Sequence, residues 1–192
     1  MDTILDTVRC FASKAHQGQM RKYTPDPYIV HPIRVSEMVM PFNSRLPVIA
    51  AALLHDVVED TIVSETALSV FLHNIMDPED AAETMRLVIQ LTDIYVPGNY
   101  PNLNRRKRKE RELERLTKIS PEAQTIKYAD IVDNTREIAT CDPDFAPEYL
   151  HECLAILQKA DQGNSILYSK ALESVKSGLY AIKEMTSTVP SN

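Results

Sequence analysis

Apolar side chains recur every three to four residues along almost the whole of this chain, while strand-like alternation is hardly visible, and no other feature narrows the possible folds so sharply. Ile4, Leu5, Val8 and Phe11 begin the pattern, and Ile33, Val35, Met38 and Val39 resume it after Pro32. The spacing predicts further helices over roughly 47 to 58, 64 to 74, 78 to 93, 103 to 118, 121 to 139, 145 to 160 and 164 to 185. Pro121 after Ser120 and Pro78 after Asp77 have the form of first-turn prolines behind capping residues. Tyr23 to Tyr28 and Tyr95 to Asn104 carry prolines or glycine and read as loops. The expected fold class is all-α.

Length and composition limit what such a fold can do. With 192 residues, 44% hydrophobic and 25% charged, the chain has the ordinary globular mixture and room for one domain around one core. We therefore expect residues 1–192 to form a single domain, with a core over about 1–160, a C-terminal helix over about 164–185 and a short polar tail from Thr186. Four glycines are too few for phosphate-cradling loops of the Walker or dinucleotide-binding kind. The net charge of -6 argues against nucleic acid as a partner. Cys10, Cys141 and Cys153 lack the paired spacing of a zinc site and read as reduced, inert thiols. There is no apolar run of membrane-spanning length, and the N-terminus, with Asp2 and Asp6, does not resemble a secretory signal, so the expected location is cytoplasmic, with no membrane partner. Oligomeric state is not legible.

The chemistry concentrates where Ala50 to Leu54, tightly apolar, runs into His55-Asp56 and then Glu59-Asp60. On a continuing helix Glu59 lies four residues after His55 and Asp60 four after Asp56, so both acids stack on the face of the His-Asp pair. Three carboxylates and an imidazole within six residues repel one another unless a cation or a proton compensates them. Helix-terminal acids on a solvated face are the common alternative for such a pair taken alone. His31, before Pro32, and Asp130, inside a predicted helix, would complete a set of two imidazoles and two carboxylates without thiolate, suited to manganese, iron or zinc, with manganese preferred.

Several ordered elements carry a resemblance. Ala15-His16-Gln17-Gly18-Gln19, Arg21-Lys22, Pro27-Tyr28-Ile29-Val30-His31-Pro32, Ala51 through Thr61 with His55-Asp56 and Glu59-Asp60 inside it, and Lys127 through Asn134 occur in the order found in the hydrolase domain of RelA/SpoT proteins. The chain resembles a stand-alone member of that HD superfamily, a small alarmone hydrolase similar to the metazoan SpoT homologue. The resemblance implies an HD-domain helical bundle with one Mn2+, or another divalent transition metal, on His31, His55, Asp56 and Asp130. It implies that Glu59 and Asp60 position and deprotonate the attacking water, and that Arg21, Lys22 and Asn134 contact a small-molecule nucleotide. Tyr28 can stack on a base or pack beneath its loop.

The implied reaction is release of pyrophosphate from the 3′ position of guanosine tetra- or pentaphosphate (ppGpp or pppGpp). The competing expectations are an HD phosphohydrolase acting on another nucleotide, as an NADPH phosphatase or nucleotidase, and a non-catalytic alarmone-binding module. The chain departs from the family pattern at Tyr23-Thr24-Pro25-Asp26 and after Thr92-Asp93, where a lysine is expected; both segments would border the substrate. The basic run Arg105 to Arg111 reads mainly as a solvated helix face, with Glu112 and Glu114 paired to neighbouring bases.

Overall fold

Four helix starts in this chain are marked by side chains that accept hydrogen bonds from the first free amides, as the donors at a helix N-terminus require. Ser64 Oγ accepts from Ala67 N at 3.2 Å, Asp77 Oδ1 from Glu79 N and Asp80 N at 3.1 Å, Asn104 Oδ1 from Lys107 N at 3.0 Å, and Ser120 Oγ from Ala123 N at 3.3 Å. Pro78 and Pro121 follow two of these caps directly. The structure, a computed structural model, describes residues 2–187. The polar tail is helical to Ser187 and beyond that lies outside the described residues.

Among the described residues the elements are α1 (Asp2–Ala15), α2 (Val30–Val39), α3 (Leu46–Leu54), α4 (Val57–Asp60) and α5 (Glu65–Ile75). They continue with α6 (Pro78–Leu91), α7 (Arg105–Leu116), α8 (Pro121–Cys141), α9 (Ala146–Leu157) and α10 (Ser165–Ser187). An isolated bridge between Met20 and Pro27 ties the loop after α1. That loop turns at Gly18, whose φ of 83° is a left-handed value glycine adopts without a steric cost, and Gln19 N bonds to His16 O at 3.0 Å across the turn. The all-α expectation holds, and no helix among the described residues is long and apolar enough to cross a membrane.

The helix α3 is apolar around its whole circumference, so it must be enclosed on all sides. Pro47 through Leu54 are all buried, with α1, α2, α6 and α8 packed around them. Burying side chains such as Ile49 and Leu54 contributes about 1.5–3 kcal/mol each. The second long support is α8, flanked by α2 and α10 with α9 alongside. Where the chain turns into α10, the Tyr128 hydroxyl donates to Ala160 O at 2.6 Å and accepts from Gly163 N at 3.2 Å.

One expectation changes. The helix read over 47 to 58 is two pieces, because α3 ends at Leu54 and Asp56 takes φ −97°, ψ −6° before the single turn α4 begins. The relaxed turn lets adjacent side chains meet, His55 Nε2 lying 3.2 Å from Asp56 Oδ2, a contact that neighbours on a regular helix do not face each other to make. Asp60 N still bonds to Asp56 O at 2.8 Å, so α4 stays in register with the turn.

A Cβ at Gly163 would stand 2.5 Å from Tyr128 Cε2 and 2.9 Å from the Thr125 backbone nitrogen. Gly163→Ala is therefore expected to destabilise the fold by about 1–3 kcal/mol in chemical denaturation. An unchanged midpoint would mean that the α8–α10 junction yields freely.

Candidate metal centre and acid pair

Four side chains from three parts of the fold meet where α2, the end of α3 and α8 converge. His31 stands in the first turn of α2, where its backbone N–H bonds to Tyr28 O at 2.9 Å; His55 and Asp56 occupy the break after α3; Asp130 is on α8. His31 Nε2 lies 3.2 Å from Asp130 Oδ1 and 3.5 Å from Asp56 Oδ2, and His55 Nε2 lies 3.9 Å from the same Asp130 oxygen. Ligand atoms of His31, His55 and Asp56 all lie within 4.8 Å of one another.

The far side of each ring fixes its protonation. Nδ1 of His31 is 2.8 Å from Asp133 Oδ2, and Nδ1 of His55 is 2.9 Å from Ala52 O, so both Nδ1 atoms are donors and in the neutral rings each Nε2 is left to present a lone pair. His55 Nε2 is buried without a hydrogen-bond partner. An orphaned lone pair, a second one beside it and two carboxylates form a nitrogen and oxygen donor set that fits a divalent cation.

Without that cation, charge is balanced by protons and by one amine. Burial pulls the His31 pKa down, but hydrogen bonds to Asp130 and Asp133 outweigh it and raise it to about 9. His55 is also raised, burial being overcome by Asp56 and Asp130. Burial opposes ionisation of Asp130, yet Lys127 and the two imidazoles hold its carboxyl well below the usual range. Lys127 Nζ donates to Asp130 Oδ2 at 2.8 Å and Asn134 Nδ2 to Asp130 Oδ1 at 2.6 Å.

The acid pair sits at the rim. Asp60 and Asp56 share the Tyr28 hydroxyl, at 3.1 and 2.7 Å, and the Asp60 carbonyl accepts from Gln19 Nε2 at 2.7 Å. Gln19 is held by buried His16, whose Nδ1 is 2.7 Å from Gln19 Oε1. Glu59 points the other way, its Oε2 accepting from Asp93 N at 2.8 Å. Although Glu59 is exposed as a residue, desolvation of its carboxyl group and the charge of Asp93 push its pKa up to about 7. Asp60 is raised as well, by burial and then by Asp56.

The expected substrate contacts are placed unevenly. Arg21 reaches the site, with Nη1 3.2 Å from Asn134 Oδ1 and Nη2 3.5 Å from Asp133 Oδ2. Lys22 is exposed and bonded to Asp142 at 2.7 Å, beside the Tyr23 and Phe145 rings. Tyr28 serves the acids through its hydroxyl, while its ring centroid lies 4.7 Å from that of His16. Asp133, Lys127 and the His16–Gln19 pair carry no role in the sequence reading. The signal for the first two was present, since Lys127, Asp130, Asp133 and Asn134 recur at helical spacing on one face of α8. A small pocket of about 150 Å³ over the centre shares Asp93, Lys127 and Tyr149 with a cavity of about 490 Å³ between α7, α8 and α9.

Residues 9–159 match the HD domain family. The human guanosine-3′,5′-bis(diphosphate) 3′-pyrophosphohydrolase MESH1 is 34% identical over 171 residues, covering 85% of this chain and 87% of its own. A solved structure described as a metazoan ortholog of SpoT that hydrolyses ppGpp aligns with a TM-score of 0.74 at 27% identity, over 91% of this chain and 94% of that one. A Listeria monocytogenes protein shares the fold, with a TM-score of 0.59 at 22% identity over 81% of this chain and 98% of that one. The chain belongs to the HD-domain family, as a homologue of the MESH1 pyrophosphohydrolases.

Proposed function

We propose that this protein is a manganese-dependent hydrolase that removes the 3′-pyrophosphate of guanosine tetra- and pentaphosphate, giving GDP or GTP and pyrophosphate. The observation that carries the reading is the meeting of two Nε2 lone pairs and two carboxylates beside Glu59 and Asp60, in a homologue of an enzyme named for that reaction. On this reading residues 1–192 act as one cytoplasmic domain, and His31, His55, Asp56 and Asp130 hold the ion. The bound cation would supply Lewis acidity toward a phosphoryl oxygen and acidify water near it.

The chain's own groups divide the remaining work. A water oxygen bonds to the phosphorus next to O3′, the P–O3′ bond breaks, and the proton that the water gives up ends on the leaving ribose oxygen. Glu59, near neutrality in its pKa, takes the proton of the attacking water, and Asp60, fixed by Tyr28 and Gln19, orients it. Arg21, at Asn134, is placed to exchange its side-chain partner for a phosphate oxygen, a stronger charge-assisted bond. The neighbouring pockets of about 150 and 490 Å³, lined in common by Asp93, Lys127 and Tyr149, offer a nucleotide room beside the centre.

A second reading keeps the metal chemistry and changes the substrate to another nucleotide, such as a reduced dinucleotide phosphate or a nucleoside phosphate. It is favoured by Lys22, which is engaged with Asp142. A manganese-supplemented assay on guanosine tetraphosphate with chromatographic product identification separates the two. Pyrophosphate and GDP support the first reading; no turnover there, with orthophosphate released from another nucleotide, supports the second.

Glu59→Gln should retain the metal while losing about 100-fold or more in kcat. Because Glu59 accepts a proton only when ionised, kcat/KM should rise with pH through an apparent pKa at or below about 7, a nearby cation favouring the ionised form, and this limb should vanish in Glu59→Gln. Full turnover by the variant would remove Glu59 from the mechanism. Asp133→Ala takes away the acceptor that fixes His31, so manganese affinity should weaken about 10- to 100-fold by calorimetry; unchanged affinity would mean that packing alone orients the ring.

A further inference from the structure

Glu112 directly follows the basic run on α7, yet it is buried, with 3% of its surface exposed. Arg115 Nε donates to its Oε1 at 2.6 Å, and the same carboxylate's Oε2 accepts from Ile94 N at 3.1 Å and Tyr95 N at 3.2 Å. Arg115 also reaches the preceding backbone, donating to Gln90 O at 2.8 Å and Thr92 O at 3.0 Å. Three residues before Glu112, Lys109 Nζ is 3.0 Å from Asp93 Oδ2. One face of α7 therefore grips the segment 90–95 through both carbonyls and amides. The amide just before those two, Asp93 N–H, is the one that holds the Glu59 carboxylate.

We infer that Glu112, braced by Arg115, is a positioning residue for the acid pair: it shapes the 93–95 turn so that Asp93 N–H fixes Glu59. The inference rests on the catalytic role given above to Glu59. A buried carboxylate that satisfies two amides and a guanidinium fixes backbone direction more tightly than packing does, since removing it leaves three donors unpaired. The arrangement makes α7, which contributes nothing to the metal set, a support of the proton acceptor. Its exposed members, such as the Arg106–Glu110 pair, remain a solvated face.

Two measurements on the full, manganese-loaded protein test this, using Glu112→Leu, the milder Glu112→Gln and, as a control on the same helix, Glu114→Ala. Amide hydrogen exchange should quicken at Asp93, Ile94 and Tyr95 in Glu112→Leu, less so in Glu112→Gln, and not in the control. In turnover of guanosine tetraphosphate, Glu112→Leu should lower kcat by roughly 10- to 100-fold with KM and metal stoichiometry kept, and by less than about 2-fold in a Glu59→Gln background. Unchanged exchange at Asp93 overturns the inference whatever the substrate is, and so does an equal loss of kcat in both backgrounds. Quickened exchange in a protein that never turns the nucleotide over keeps the turn-shaping and overturns the substrate reading instead. If Glu112→Leu does not fold, Glu112→Gln decides: exchange at Asp93 identical to the unsubstituted protein sinks the proposal.

Discussion

A neutral imidazole carries one N–H and one lone pair, and its neighbours decide which nitrogen has which. In this fold both histidines at the centre give the N–H to an acceptor on the outside, Asp133 for His31 and the Ala52 carbonyl for His55. The lone pairs are thereby turned toward each other and toward Asp56 and Asp130. Reversing either tautomer would put an N–H where a cation needs a lone pair. The rest of the architecture serves this orientation: α3 brings the Ala52 carbonyl one turn below His55, and α8 brings Asp133 one turn beyond Asp130.

Around that centre, charge is handled in layers. Lys127 offsets Asp130 from one side and Asn134 bonds to it from the other, so the carboxylate is loaded with donors before any ion arrives. The two rim acids are separated in surroundings as well as in direction. Asp60 belongs to the α1 loop through Gln19 and Tyr28, whereas Glu59 belongs to the turn after α6 through Asp93. Two neighbouring carboxylates can thus hold different places, as distinct roles in one reaction require.

The helical class was legible because the 3.6-residue period persists through most elements, and capping residues with following prolines marked the starts of α6 and α8. The break at His55-Asp56 was not, since periodicity reports which face is apolar and is silent on a single turn opened by contacts between side chains. The pairing of His31 with His55 came from ordered motifs rather than from spacing, for residues 24 apart have no local geometry in common. Asp133 shares a face of α8 with Lys127, Asp130 and Asn134, but that spacing does not name the imidazole it holds, which only the tertiary structure brings into view. Glu112 was hidden by its company: amid arginines and lysines, composition suggests a wet surface, and only the tertiary approach of segment 90–95 shows otherwise.

The run Ala50-Ala51-Ala52 has side chains too small to fill space, and all three are fully enclosed among four neighbouring helices. Close approach of those helices depends on that smallness, so bulk added there has nowhere to go without displacing a wall. A stretch of plain methyl groups that lines neither pocket therefore tolerates added bulk poorly, and the narrow middle of α3 is a condition of the fold as a whole.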